Sequence, residues 1–151
     1  MAMRGFCWIT SCQDKNASLP QRKTSGSAGY DLEAAQSTTL LPGETAMIPT
    51  NLKAYMQENE VLLIMIRSSL ATKKNLVLAN GVGVIDADYF NNPSNEGHIL
   101  LAVRNLGEQE VMITKGQAIA QGIFTAYLVS DHEDVASEPR RGGFGSTDPK
   151  Q

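Results

Sequence analysis

Apolar residues along this chain fall into short runs, not into the three-to-four spacing of an amphipathic helix. Runs at residues 39–41, 46–48, 61–66, 76–78, 98–103, 111–113 and 119–128 are rich in Val, Ile and Leu, with turn signals at Pro42-Gly43, around residues 105–107 and at Lys115-Gly116. Such a series predicts many short strands and an all-β barrel or sandwich of jelly-roll type. One segment breaks the pattern. Ser68 and Ser69 precede Leu70-Ala71-Thr72-Lys73-Lys74, which predicts a single short helix with a serine N-cap and free N–H groups able to face an anion. A polar, acidic stretch at 130–138 leads into a segment rich in Gly, Arg, Ser and Thr. The expected organisation is one domain over 1–138 and a flexible C-terminal tail over 139–151.

Composition narrows the class. With 151 residues, 42% of them hydrophobic, the chain fills one core without staples. Its longest aliphatic run, 61–66, is far short of the ~20 residues that cross a bilayer. The first residues lack the pattern of a secretory leader, so a cytoplasmic protein without a membrane partner is expected. Cys7 and Cys12 have no further Cys or His at ligand spacing, which argues against a disulfide framework or a structural zinc site. The net charge of -3 and the absence of any basic run longer than a pair argue against a nucleic-acid partner. An anionic substrate requires a local cluster of donors or a metal to offset that background.

Five short constellations carry candidate chemistry, each with a bland alternative. In Ser27-Ala28-Gly29-Tyr30-Asp31-Leu32, Asp31 can order a metal or its waters, or the segment is a glycine turn before a strand. Arg67-Ser68-Ser69-Leu70 combines a planar guanidinium with two hydroxyls, groups that bind phosphate, or it is an ordinary capped helix. Asn80-Gly81-Val82-Gly83-Val84-Ile85-Asp86-Ala87-Asp88-Tyr89 runs an apolar strand into two carboxylates and a tyrosine. Strand alternation puts Asp86 and Asp88 on one side. An aspartate there can serve as a general base toward water, and paired acids can equally mark a solvated hairpin tip or a metal site. In Gly116-Gln117-Ala118-Ile119-Ala120-Gln121, Gln121 is the polar exception in an apolar strand. Arg140-Arg141-Gly142-Gly143-Phe144-Gly145-Ser146-Thr147 mixes cations, hydroxyls and one aromatic, as a flap closing on an aromatic anion would, or as a glycine-rich tail would.

In this order and spacing, Ala-Gly-Tyr-Asp-Leu, Arg-Ser-Ser-Leu, Gly-Val-Ile-Asp-Ala-Asp-Tyr, Gly-Gln-Ala-Ile-Ala-Gln and Gly-Gly-Phe-Gly-Ser-Thr resemble the five motifs of the trimeric dUTPases. The segment at 91–98 is similar to forms from Gram-positive bacteria and their phages. The resemblance implies the jelly-roll β-clip fold of that family, a homotrimer with shared sites, and Mg2+-dependent hydrolysis of dUTP to dUMP and pyrophosphate. It implies that Asp86 activates the water attacking the α-phosphorus. Tyr89 then packs under the deoxyribose, and Asn80 with the backbone of Gly83, Val84 and Ile85 forms the uracil slot. Asp31 is implied to hold waters of the Mg2+. Arg67, Ser68, Ser69 and Gln121 are implied to contact phosphates. Phe144 stacks on the base, while Arg140 or Arg141, Gly145, Ser146 and Thr147 close over the β- and γ-phosphates.

Some positions depart from the family pattern. Gln117-Ala118 stands where Asp-Arg is common, Asn51 replaces a glycine, Asp148 stands where glycine is frequent, and the loop after Tyr89 is long. Related alternatives are a dCTP deaminase-like enzyme of the same fold, and a phage-type dUTPase whose loop at 91–97 binds a host or phage regulator. A non-enzymatic β-sandwich binding module would require all five motifs to coincide by chance.

Overall fold

From Leu100 to Asn105 every second residue is buried: Leu101, Val103 and Asn105 point inward, while Leu100, Ala102 and Arg104 are more open. That period of two is the signature of a strand with one face on a core. The same logic repeats along the computed structural model, which describes residues 1–12, 14, 18–135, 138–145 and 147–148. The strands among them are β1 (Gly5–Trp8), β2 (Tyr30–Glu33), β3 (Thr38–Leu40), β4 (Thr45–Pro49), β5 (Leu52–Tyr55), β6 (Glu60–Ile66), β7 (Leu76–Leu78), β8 (Gly83–Asp86), β9 (Leu100–Asn105), β10 (Val111–Ile113) and β11 (Ala118–Ala126), with one helix, α1 (Ser68–Lys74). No helix among the described residues is long and apolar enough to cross a membrane.

The strands form a four-stranded sheet in the order β2-β11-β6-β8, a three-stranded sheet β4-β9-β7, and two ribbons, β1-β5 and β10-β3. All pairings are antiparallel. Leu32, Leu62, Ile64 and Ile119 from the first sheet and Ile48, Leu76, Leu101 and Val103 from the second join one buried cluster. Two sheets sharing an interior in this way give the jelly-roll-like sandwich that the sequence pattern predicts.

Three local departures from expectation have physical causes. First, the pattern misses β1 and β5, because Lys53 interrupts the apolar run of β5. In the fold Lys53 is buried and its ammonium is satisfied by Asn91 Oδ1 at 2.7 Å and Glu96 Oε1 at 3.4 Å, over the Phe90 ring. Second, β9 begins two residues later than expected, since Gly97 at φ +84 keeps His98 in the preceding loop. Third, the helix is capped by Arg67, in extended conformation and without a side-chain cap bond; Ser68 and Ser69 lie in its exposed first turn. The predicted serine N-cap is therefore corrected. Asn75 ends the helix in left-handed conformation, with its N–H on the Leu70 carbonyl.

The departures from family pattern also find reasons. Asn51 sits at φ 59, a left-handed position that glycine occupies freely and asparagine tolerates. Gln117 closes its turn by accepting the Thr114 N–H at 3.1 Å.

Candidate active site

The third motif is laid out by a hairpin. β6 and β8 pair with Ile64 opposite Gly83 and Val61 opposite Asp86. Gly83 leaves little room for a side chain, because a Cβ would lie 3.2 Å from the Ile64 Cβ. β8 is the outer strand of its sheet, so one side of its backbone keeps N–H and C=O groups that no strand claims. Between β8 and the strands β7 and β9 lies a cavity of about 260 Å³, lined by Asn80, Gly83, Val84, Ile85, Asp86 and Tyr89. Arg140, Gly143 and Phe144 complete its wall from the tail. Apolar walls beside main-chain donors and acceptors suit a flat heterocycle read along its edge.

Regular alternation does not continue through the two carboxylates. The strand stops at Asp86, and Ala87–Tyr89 form one turn of 3-10 helix. The carboxylates still converge, because Arg140 spans them: its Nη2 donates to Asp86 Oδ2 at 2.5 Å and its Nε to Asp88 Oδ1 at 2.7 Å. The planar guanidinium fits this two-point contact. The two arginines left open by the sequence are thereby separated, since Arg141 is exposed and Arg140 is engaged. Arg140 sits on the carboxylates of the third motif and not beside the phosphate-type donors described below. Asp88 and Gly143 thus belong to the site, although the motif reading assigns them no role there.

Tyr89 is held from several directions. Its hydroxyl donates to the His98 carbonyl at 2.9 Å and accepts from the Asn95 amide at 2.8 Å. Burial pushes its pKa up, against the opposing effects of the Asn95 hydrogen bond and the nearby Arg140 charge. Gly143 of the tail lies on the ring: a Cβ there would meet Tyr89 Cε2 at 2.8 Å. Phe144, at φ 51 and 69% exposed, hangs over the open side of the cavity. Gly145 and Thr147 are exposed beyond it, and Ser146 lies outside the described residues.

A second cluster forms elsewhere. β11 carries a bulge at Ile119, after which Gln121 faces Asp31 of β2. The extra residue has a purpose in the ladder, since the Ile119 carbonyl accepts the Arg67 N–H at 3.0 Å where β6 gives way to the helix. Arg67, Ser68, Ser69, Gln121 and Asp31 are thus gathered at one end of the sheet. Gly29 gives the Gln121 side chain its room there, since a Cβ would run into its Oε1 and displace it. Asp31 is flanked by Arg67 Nε at 3.8 Å and Lys23 Nζ at 3.6 Å, yet its buried Oδ2 has no hydrogen-bond partner. Such an orphaned carboxylate oxygen fits a hydrated divalent cation. Among the described residues no group of three or more His, Cys, Asp or Glu could cage a metal. A Mg2+ ion carried mainly by water and ligand oxygens would need only one such carboxylate from the protein, and the unpartnered Asp31 oxygen fits that share.

The two clusters do not meet within one chain. None of Asp31, Arg67, Ser68, Ser69 or Gln121 lines the cavity that Asn80, Asp86 and Tyr89 form. The third and fifth motifs are together, the first, second and fourth are together, and the halves are apart.

A base-sized slot with a carboxylate at its mouth, and a separate set of phosphate-type donors, define a nucleotide-handling protein on a jelly-roll scaffold. The chain belongs to the dUTPase family, whose model matches residues 15–148. It is 51% identical over 148 residues to the deoxyuridine 5'-triphosphate nucleotidohydrolase of Lactococcus lactis, covering 97% of this chain and 99% of that one. The crystal structure of the dUTPase from Streptococcus mutans matches with a TM-score of 0.79 at 48% identity, over 84% of this chain and 98% of that one. A mutant dUTPase from phage phi11 of S. aureus, described with a structural Mg(II) ion, shares the fold at TM-score 0.72 and 21% identity, over 91% of this chain and 99% of that one.

Proposed function

We propose that this chain's hydrolysis of dUTP to dUMP and pyrophosphate runs through the Asp86 cavity, with Asp86 as general base for the water that attacks the α-phosphorus. The observation that carries this reading is the convergence of Asn80, Gly83, Val84, Ile85, Asp86 and Tyr89 on one cavity, with the tail lying against it. Backbone groups of β8 and Asn80 read the uracil edge, and the narrow slot rejects the methyl of thymine. The Tyr89 ring packs under the deoxyribose and leaves no room for a ribose 2′-hydroxyl. Arg67, Ser68, Ser69 and Gln121 bind phosphate oxygens by charge and position, without covalent chemistry.

Mg2+ is the proposed cofactor; when bound with the nucleotide it neutralises phosphate charge, and Asp31 orders its waters. Residues 139–151 act as the flap: on closure Phe144 stacks on the base, Gly145, Ser146, Thr147 and Arg141 contact the β- and γ-phosphates, and water is excluded. Arg140 orients Asp86 and Asp88 before it or alongside phosphate binding.

The separation of the two residue clusters supports a homotrimer in which one chain's Arg67 and Gln121 face another chain's Asp86. A cytoplasmic location follows from the nucleotide pool such an enzyme would serve. The segment at 91–97 exposes Asn91, Pro93 and Ser94 and turns the side chains of Asn92 and Asn95 toward Tyr89.

The testing experiment compares dUTP, UTP, dTTP and dCTP with Mg2+, following pyrophosphate and ammonia together, for the parent and for Asp86→Asn. Expected are pyrophosphate from dUTP without ammonia, and a fall in turnover on the order of 10²-fold or more for Asp86→Asn with nucleotide binding retained. Ammonia from dCTP, or near-normal kcat in Asp86→Asn, overturns the reading.

A further inference from the structure

The Tyr89 hydroxyl is committed on both sides, donating to the His98 carbonyl and accepting from the Asn95 amide. A phenol has a single proton, so this pair of contacts uses its donor and pins the ring in plane and tilt. The Asn95 amide is in turn oriented. Its oxygen accepts from the Gly97 N–H at 3.1 Å and from the Asn92 amide at 2.8 Å, which leaves its –NH2 for Tyr89. Asn92, itself buried, donates to the Tyr89 carbonyl at 2.8 Å and accepts from the N–H groups of Ser94 and Asn95 at 3.0 and 3.1 Å. Gly97 closes the circuit at φ +84, where a Cβ would stand 2.6 Å from the Tyr89 carbonyl oxygen. The segment after Tyr89 therefore folds back onto Tyr89 and grips it at the backbone and at the far end of the ring.

A simple connection from Tyr89 to β9 needs none of these bonds. Discrimination by exclusion, by contrast, depends on a wall that does not yield, because a ring free to tilt admits one extra hydroxyl at small cost. We propose that Asn95 is a positioning residue for sugar selection: by holding the Tyr89 hydroxyl it stiffens the wall that separates deoxyribose from ribose. The proposal rests on the reading of Tyr89 as the surface under the sugar.

The test measures kcat and KM for dUTP and UTP in Asn95→Ala, Tyr89→Phe, the double variant and Tyr89→Ala, with thermal melting as a check on folding. The readout is the ratio of kcat/KM for dUTP to that for UTP, which a purely structural defect would leave unchanged while lowering both activities. Loss of one positioning hydrogen bond lowers that ratio about five- to tenfold in Asn95→Ala, most of it through a lower KM for UTP. Tyr89→Phe, which removes the His98 bond as well, moves the ratio the same way and at least as far, and Asn95→Ala adds nothing further in the Phe background, as expected when Asn95 acts through the Tyr89 hydroxyl. A ratio within twofold of the parent in Asn95→Ala, with Tyr89→Ala clearly reduced, overturns the role of Asn95 and spares the reading of Tyr89. An unchanged ratio in Tyr89→Ala overturns both. If Asn95→Ala melts below the assay temperature, the same ratio measured for it and for the parent at a temperature where both are folded decides; Tyr89→Phe, which also releases the His98 carbonyl, reports the combined hold on the ring.

Discussion

Gly143 offers a direct way to test whether the tail works by seating on Tyr89. In Gly143→Ala the new methyl would lie 2.8 Å from Tyr89 Cε2, 3.3 Å from its Oη and 3.4 Å from its Cζ. Ordinary contact begins near 3.4 Å, so one partner must retreat by roughly 0.6 Å. The ring cannot be the one to move cheaply, because Asn95 and His98 hold its hydroxyl. The backbone of residue 143 lies outside the left-handed region, so alanine brings no conformational penalty of its own there. The cost therefore falls on the docking of the tail. Overpacking of this size costs about 1–3 kcal/mol, which reduces the docked population by about 5- to 150-fold. Steady-state hydrolysis of dUTP should show a loss of kcat/KM in that range. The melting temperature should stay with the parent, because the core is untouched. Phe144→Ala provides the comparison, since it removes the stacking ring without adding bulk. Activity within twofold of the parent in Gly143→Ala would refute the seating of the tail on Tyr89.

Other outcomes follow from the same structure. Truncation before Pro139 should abolish most hydrolysis while sedimentation still reports the parent's assembly, since none of the described residues beyond that point belongs to the buried hydrophobic cluster. Asn105→Ala strands the Leu40 and Gln109 carbonyls and the Gly107 N–H that the buried side chain now serves at 3.1, 2.8 and 2.9 Å. It should cost about 2–3 kcal/mol, seen as a melting temperature lower by several degrees, and an unchanged melt would contradict it. His98 accepts the Asn51 N–H at 3.0 Å through Nε2, and burial pushes its pKa below the ordinary 6.5 against the opposing pull of Glu96. The unfolded chain then takes up the proton first, so this contribution to stability is full above about pH 6.5 and lost as pH falls toward the folded value. Melting curves should show that loss for the parent as pH falls below about 6.5, and His98→Gln, which keeps an acceptor but cannot titrate, should flatten it.

Hydrogen-bonded pairing across β11 illustrates why the linear chain discloses the kinds of groups in the site more readily than their arrangement. Asp31, Arg67 and Gln121 are far apart in sequence and legible only as motif members, yet a single bulge at Ile119 sets Gln121 against Asp31 and anchors Arg67 beside them. Nothing in the local pattern marks Ile119 as the extra residue, because its apolar character suits either register. Arg140 is a sharper case. Its type suited phosphate, and the fold instead gives it two carboxylates more than fifty residues away in the chain. Asn95 carried no visible signal beyond an asparagine-rich stretch, since a bond to Tyr89 depends on a loop that reverses through Asn91 and Glu96 at positive φ.

What the amino-acid order determined by itself is the local chemistry: the short apolar runs that became β7, β9 and β10, the turns at glycine and asparagine, the helix after Arg67, and the five motifs that carry the family. These depend on neighbours a few residues apart, where side-chain type and backbone preference act directly. Tertiary structure alone decided that Lys53 could be buried, that β8 would stand at a sheet edge, that the tail glycine would rest on Tyr89, and that the phosphate-type donors would lie apart from the cavity. Each of those outcomes depends on a partner brought near by long-range pairing. The energy of a buried charge, an open strand edge or a close glycine contact exists only once that partner is in place.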